Sequence, residues 1–437
     1  MVERIFRLGS KEGMDLESAE KALREMGSRL SGNLLEKMLN ADGGMYIGNR
    51  IDCRSGHQAQ YQERRVKQLV TVVGLVNVSR AYYHCEECKG GVIPKDEQLD
   101  IVGTSFSPGV KRMMGFVGGR GAFSEGRTVL KELAGIDLST KAVERTAEAI
   151  GEGIEQIEQR QIKAVLAGNV KFLGDGKAEI PTMYVLMDGT GVPVVGRETE
   201  GRMGKTADGK ARTREAKLGC VFTQTGLDKE GKPVRDERST TYVGAIEEAG
   251  PFGARIYTEA CRRGLSRALR VVVLGDGAPW IWGIAEMHFP GAIQIVDLYH
   301  ALDRLMKVAK SVYGSDNNRW KEWSGPVAQI LKQGEIESVV RALKRMRPRG
   351  LDKKKVVRTA IEYFELNRER MRYGKFRQAG LFTGSGVIEA GCKTVIGGRL
   401  KQSGMWWTVR GANAIIHLRC SLLNNRYEDH WDARRAG

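Results

Sequence analysis

Apolar residues at helical spacing open the readable part of the chain. Residues 15–40, DLESAEKALREMGSRLSGNLLEKMLN, carry Leu, Ala and Met every three or four positions, which predicts one or two helices. After residue 51 the period drops to two. VKQLVTVVGLVNVSRAYYHC alternates, is rich in Val and breaks at Gly74, so it predicts a hairpin of two strands. Helical spacing returns between 105 and 157 in SPGVKRMMGFVG, FSEGRTVLKELAGI and STKAVERTAEAIGEGIEQ. The second and third of these segments are joined by Gly135-Ile136-Asp137-Leu138, with Ser139 placed to cap the third. A short Gly-containing turn between two such helices fits a helix-turn-helix, and a plain helical bundle fits the same pattern.

From 183 the pattern is mixed. MYVLMD, KLGCVFTQ (217–224) and STTYVGAI (239–246) predict three strands, and PFGARIYTEACRRGL a helix. RVVVLGD predicts a fourth strand, APWIWGIAEMHF a helix, and AIQIVDLYH (292–300) a fifth strand running into a helix. The order β-β-β-α-β-α-β is that of the ribonuclease H-like fold, in which the first and fourth strands lie side by side. It is not the alternating order of a dinucleotide-binding fold, and GDGAPW lacks the glycine spacing of such a site. Residues 301–380 interrupt the pattern with mostly helical sequence, and 384–424 closes it, with Glu389 opening a helix past a glycine-rich turn. The expected class is therefore α/β: a ribonuclease H-like domain (180–300 plus 381–437) with a basic helical insertion (301–380). Ahead of it stand an N-terminal helical segment (1–50), a zinc-ribbon-like hairpin (51–100) and a helix-turn-helix-like DNA-binding region (101–175).

Two of the predicted strands run into Asp-Gly: YVLMDGTGVP at Asp188 and VVVLGDGAPW at Asp276. Asp-Gly alone is a common turn. Carboxylates at the C-terminal ends of two neighbouring strands are different. Asp188 ending the first strand and Asp276 ending the fourth would meet, and Glu389 would complete a set of three. Oxygen ligands of this kind suit two Mg²⁺ or Mn²⁺ ions, which activate an attacking oxygen and stabilise a leaving one in phosphoryl transfer.

A second chemistry lies in the hairpin region. Cys53-x3-His57 precedes it and Cys85-x2-Cys88 ends it. Two ligand pairs brought together by a hairpin suit one tetrahedral Zn²⁺. His84, beside Cys85, is an alternative to His57, and two reduced cysteines at a turn are the bland alternative.

The charge balance adds a partner. The 437 residues, enough for two to four domains, hold 70 Lys+Arg against 53 Asp+Glu, a net +17 with a pI near 9.5, which points to a polyanion, nucleic acid first. Within 341–377 there are 14 Lys/Arg and only four acids, and Lys353, Lys354 and Lys355 head the candidates for phosphate contact. No apolar run approaches a membrane span, and MVERIFRLGSKEG lacks the apolar segment of a signal peptide. Seven scattered cysteines do not make a disulfide framework, so a reducing cytoplasm is expected.

The stretches MDGTGVPVVGRETEGR, VLGDGAPWIW, IVDLYHA and GSGVIEAGCKTVIGGRLKQSGMWWTVRGANAIIHLR closely resemble bacterial insertion-sequence transposases of the ISKra group, distant relatives of the Mutator-like DDE transposases. The likeness extends back through RAYYHCEEC. It implies that Asp188, Asp276 and Glu389 are the DDE triad, and that the chain cuts DNA at its element's ends and joins the 3′-hydroxyl ends to a target. Asp297-Leu-Tyr-His300 looks like the (Cys/Asp)-x2-His signature of the Mutator-like enzymes. His300 then contacts a phosphate or positions DNA, with Asp297 accessory; a helix cap plus a structural histidine is the alternative. Beyond Glu389, Lys393, Arg399, Lys401 and Arg410 on one helical stretch are candidates to follow the DNA backbone. Trp406 and Trp407 are candidates to stack on a base, at least one of them being core. Loop 197–214 is basic and glycine-rich. A homodimer or higher oligomer on DNA is expected. A metal-dependent nuclease without joining activity, and a non-catalytic DNA-binding descendant, are the competing classes; the intact carboxylates argue against the second.

Overall fold

The computed structural model describes residues 15–169, 178–204, 209–316 and 318–436, the side chains of 435 and 436 excepted. The first fourteen residues, 170–175 of the helix-turn-helix-like region and 205–208 of the basic loop thus lie outside the described residues. The chain divides into two compact units, 1–147 and 148–437.

The first unit is built on a four-stranded antiparallel sheet: β1 (Arg50–Asp52), β2 (Gln58–Thr71), β3 (Gly74–Cys85) and β4 (Gly90–Val92), in that order. The hairpin turns where Gly74 takes φ +111°, the break visible in the sequence. β4 is short, so the N-terminal half of β3 is left with an open edge. One helix, α1 (Leu16–Asn40), covers it: Glu36 and Asn40 accept the backbone N–H groups of Asn77 and Ser79 at 2.8 Å each. Beneath, Leu69, Val76, Val78 and Ile101 form a small core with Leu35 and Leu39 of α1. A short helix, α2 (Pro94–Gln98), is fixed by buried Asp96, which takes two hydrogen bonds from Arg80 at 2.8 and 3.0 Å.

Three helices follow: α3 (Pro108–Arg120), α4 (Phe123–Ala134) and α5 (Thr140–Leu166), the unit boundary falling within the last. α4 stops where Gly135 turns left-handed at φ +68°, and the Ser139 hydroxyl accepts the Ala142 N–H at 3.1 Å to start α5. Val110, Met114, Leu130, Ile136, Leu138 and Val143 pack between the three.

The second unit holds a mixed five-stranded sheet in the order β11-β10-β5-β6-β9. Here β5 is Thr182–Pro193, β6 Thr213–Gln224, β9 Thr241–Ala245, β10 Val271–Gly275 and β11 Ile293–Val296; a two-residue ribbon, β7 (Gly226–Leu227) with β8 (Pro233–Val234), lies between β6 and β9. β5, β6 and β9 pair antiparallel; β5, β10 and β11 pair parallel. The first and fourth major strands, β5 and β10, are thus neighbours. Met183, Tyr184, Val185, Leu186 and Met187 are all buried, because helices cover both faces, and this is why the strand reads as an unbroken apolar run. Gly219 lets Phe252 and Ile256 of α6 (Ala249–Arg262) approach one face. On the other, Gly244 makes room for Ile416 of a C-terminal helix, Val409–Leu423.

One strand end differs from expectation. β5 does not stop at Asp188. Its pairing with β6 continues through Asp188↔Leu218 to Pro193↔Thr213, so Asp188 sits inside a strand and it is β10 that ends first.

After α7 (Pro279–His288) and β11, the chain leaves the sheet as α8 (Leu298–Tyr313), α9 (Arg319–Gln333), α10 (Ile336–Lys344) and α11 (Leu351–Leu366), then α12 (Tyr373–Gln378). The Leu298 N–H donates to the Thr383 carbonyl at 2.9 Å, so this excursion leaves and returns at one point. Part of its basic run is internal. Arg372 binds Glu337 and Glu369, and Arg370 donates to Gln294 of β11 at 2.7 Å and lies 4.7 Å over the Trp282 ring. These two arginines hold the insertion together and anchor it to the sheet edge; they are not free for phosphate. Among the described residues no helix is long and apolar enough to cross a membrane.

Candidate functional site

The parallel register sets Leu186 of β5 opposite Leu274 of β10. Two residues further on, Asp188 is still in its strand while β10 has given way to Asp276. The two carboxylates therefore share the sheet's C-terminal edge and repel. The Asp188 carboxyl is pushed above the ordinary carboxylate range, chiefly by burial, and by the charge of Asp276; the Cys392 thiol, the Gly189 N–H and His300 oppose the rise. Asp188 Oδ1 accepts the Gly189 N–H at 2.8 Å and Oδ2 faces the Cys392 thiol at 3.4 Å. Asp276 Oδ1 accepts the Ala278 N–H at 2.9 Å across Gly277, whose φ of +95° is the reason a glycine follows the aspartate. Its carbonyl accepts the Tyr363 hydroxyl of α11 at 3.1 Å. Burial pushes the Tyr363 phenol up to about 12, so it is a donor at neutral pH.

Glu389 comes in from the other side of the insertion, in the first turn of α13 (Gly386–Gly391). Asp297, the residue after β11, holds it there. This carboxylate is fully buried. Its Oδ1 accepts the His300 N–H at 2.6 Å and caps α8; its Oδ2 accepts the N–H of Ser385, 88 positions along the chain. Ser385 in turn donates its hydroxyl to Glu389 Oε1 at 3.1 Å, and His300 Nε2 lies 3.7 Å from the same oxygen. Ligand atoms of Asp297, His300 and Glu389 lie within 4.8 Å of one another; neither Asp188 nor Asp276 belongs to that group. His300 links the two halves, since its charge also acts on Asp188. Asp297 itself is spent on backbone N–H groups, whereas Asp188, Asp276, His300 and Glu389 are each only partly buried. Carboxylate oxygens are the ligand type that suits Mg²⁺ or Mn²⁺.

Of the residues expected to follow a DNA backbone, Lys393 is exposed and Trp406 is 57% exposed. Lys401 donates to the Thr190 hydroxyl, two residues past Asp188. Two others do not fit. Arg399 is fully buried with its guanidinium 5.1 Å over Trp407, so it supports the core instead of a phosphate. Arg410 is exposed but engaged twice by Glu152. The expected single helical stretch is in fact broken: a π-turn, Cys392–Gly397, follows α13, and a separate helix starts at Val409. Trp407 is buried and donates its indole N–H to the Leu400 carbonyl at 3.0 Å. In the basic run, Lys353 donates to the Val312 carbonyl at 3.1 Å and ties α11 to α8, whereas Lys354 and Lys355 are exposed. Cys392, Ser385, Arg304 and Tyr363 were not singled out by sequence. Only Cys392, one helical turn after Glu389, carried a local signal.

The Cys/His cluster occupies two turns of the first unit's sheet. The β1–β2 turn bears Cys53 and His57, closed by the Cys53 N–H to His57 carbonyl bond at 2.8 Å; the β3–β4 turn bears Cys85 and Cys88. All four ligand atoms lie within 4.8 Å of one another, with Cys53 Sγ 3.5 Å and His57 Nδ1 3.1 Å from Cys88 Sγ. Burial works against a Cys53 thiolate, but hydrogen bonds from Ser55, Cys88, His57 and Cys85 outweigh it and bring the pKa to about 7. Three thiols and an imidazole converging this way fit Zn²⁺. His84 is not in this cluster: its ring pairs with the Tyr82 hydroxyl at 3.3 Å and with Glu86 at 3.7 Å.

The Asp297 clamp gives a direct prediction. In Asp297→Ala the backbone amides of His300 and Ser385 lose a charged acceptor, an interaction of about 1.5–3 kcal/mol each. Their hydrogen exchange in the intact chain should speed up roughly tenfold to a hundredfold, while the amides of β5 keep their protection. Unchanged exchange at both amides would show that the clamp does not hold the neck.

No family model matches this chain, and no curated protein matches its sequence. Among solved structures the chain is similar to the Drosophila P element transposase strand transfer complex, at 10% identity and a TM-score of 0.25, over 75% of this chain and 80% of that one. A likeness that distant bears on neither fold nor chemistry.

Proposed function

We propose that the chain is a DDE transposase with a ribonuclease H-like catalytic domain, which cleaves DNA at the ends of its insertion sequence and joins the 3′-hydroxyl ends to target DNA. The observation that carries this is the parallel pairing of β5 with β10, which sets Asp188 beside Asp276 at one sheet edge. The strand order, with the first and fourth strands adjacent, supports the fold. The four long stretches of resemblance and the net charge of +17 support the substrate.

In this reading Asp188, Asp276 and Glu389 hold two Mg²⁺ or Mn²⁺ ions. When bound, the ions lower the pKa of the attacking hydroxyl and offset charge on the leaving oxygen. The chain's own part is placement. Asp188 and Asp276 are fixed by the strand register, and Glu389 by Ser385 and the Asp297 clamp. His300, 3.7 Å from Glu389, orients that carboxylate or contacts the phosphate. Lys401, Lys393 and Trp406 flank the strand's path, and Lys354 and Lys355 add phosphate contacts from the insertion, Lys355 to the strand nearest Asp276. The hairpin (51–100), with one Zn²⁺, and the helix-turn-helix-like region (101–175) recognise the element's ends. The protein works as a homodimer or higher oligomer on DNA.

The test is cleavage and joining with an oligonucleotide carrying the element's end. Asp188→Ala, Asp276→Ala and Glu389→Ala should each depress both reactions by at least roughly 10²–10³-fold, the scale of losing a preorganised electrostatic contact, with end binding nearly intact. A pre-cleaved end should join in the wild type only. Cutting without joining in the wild type would favour a nuclease, and a variant of Asp188 or Glu389 that still cut would refute the triad.

Elemental analysis tests the zinc assignment. One zinc per chain is expected, lost in the Cys85→Ser, Cys88→Ser double variant. Zinc-free wild type, or full zinc in the double variant, would reject the site.

A further inference from the structure

Beside Asp276 the insertion encloses a cleft of about 460 Å³, walled by α8 and α11. Its charges do not cancel. Asp303 is paired with Lys307 at 2.6 Å, and Asp276 belongs to the metal-binding edge. That leaves Arg304 and Lys355 as cations in a lining that also includes Val308, Val356 and Ala360. The Arg304 guanidinium lies 4.0 Å over the Tyr363 ring. Stacking holds the planar fork in one orientation, with one side toward the Tyr363 hydroxyl, and a planar fork so held is suited to meet an oxyanion. Tyr363 is fixed at its other end by the bond from its hydroxyl to the Asp276 carbonyl, so Arg304 and Asp276 are held in register by one side chain.

We propose that this cleft seats consecutive phosphates of an unpaired DNA strand next to the scissile one, with Arg304 and Lys355 as the phosphate contacts. The volume admits one or two nucleotides and excludes a duplex, whose grooves would present phosphates on a convex surface. One face of the Tyr363 ring is covered by Arg304 and its edge lies against Gly277, so the cleft is suited to the backbone more than to a base. This rests on the transposase reading and adds to it the form of the strand that reaches the metals: unpaired, led in by the insertion.

The experiment measures binding of the full chain, without added divalent ions, to a fluorescent oligothymidylate and to a duplex of equal length across a salt series. In Arg304→Ala and Lys355→Ala the salt slope for the unpaired strand should shrink by about 0.7 each, and by the sum in the double variant, with duplex binding unchanged. Arg304→Lys should keep the slope and lose affinity, because a lysine keeps the charge without the stacked fork. Thermal unfolding of each variant should match the wild type. An unaltered slope for the unpaired strand would overturn the proposal, as would equal losses on strand and duplex, which would make these residues part of a general DNA surface. Because no cleavage is read, a wild type that neither cuts nor joins DNA would fail the transposase reading and leave this result standing.

Discussion

A single buried carboxylate constrains the second unit. Asp297 is fully buried, and a buried anion without partners is costly enough that the fold must supply donors. It finds them on both sides of the helical insertion: His300 N–H where the chain departs and Ser385 N–H where it returns. Satisfying one charge thus closes the neck of the insertion, caps α8 and delivers α13 to the sheet edge. Without that closure, Glu389 would be set against the sheet only by the packing of Gly391 on Leu218 and Tyr242 and by the Cys392–Asp188 contact. The Leu298–Thr383 bond beside it does the same job in neutral form.

The rest of the edge is arranged against its own electrostatics. Asp188 and Asp276 are neighbours because a five-stranded sheet with this order must bring those strands together, and burial first, then the charge of Asp276, raises the Asp188 carboxyl. Raising the pKa of a folded carboxyl favours its neutral form. The ionised site therefore costs stability as pH rises above the ordinary carboxylate range, and a cation offsets the cost. The insertion answers with positive charge from above: Arg304 and Lys355 line the cleft beside Asp276, and Tyr363 is bonded to the Asp276 carbonyl. Other basic residues of the same run were needed internally. Arg370 and Arg372 fasten helices to one another and to β11, so net charge overstates the surface available to a polyanion.

What could be read from the sequence follows from whether the signal was local. The run Tyr184–Met187 announces a strand buried on both faces, and Asp-Gly after VVVLG announces a turn that needs φ above zero. Cys53, His57, Cys85 and Cys88 could be grouped because a hairpin with Gly74 at its turn has one geometry. The misses were tertiary. Whether β5 ends at Asp188 depends on how far β6 runs beside it, and β6 reaches Thr213. Arg399 looks like a surface base until the π-turn after Glu389 rotates it under Trp407. Arg410 looks free until Glu152, on a helix far back in the chain, takes its guanidinium. Tyr363 and Arg304 carry no motif at all; the insertion's fold alone brings them to Asp276.

The central claim is that Asp188, Asp276 and Glu389, drawn from three separated parts of the chain, form one divalent-cation site. Titration of Mn²⁺ into the zinc-loaded full chain, followed by electron paramagnetic resonance, tests it most directly. Two bound ions per chain in the wild type are predicted, with affinity falling as pH drops through the raised Asp188 titration, and with loss of one or both ions in Asp188→Asn, Asp276→Asn and Glu389→Gln. Absence of specific Mn²⁺ binding in the wild type, or stoichiometry and affinity unchanged in all three variants, would contradict it.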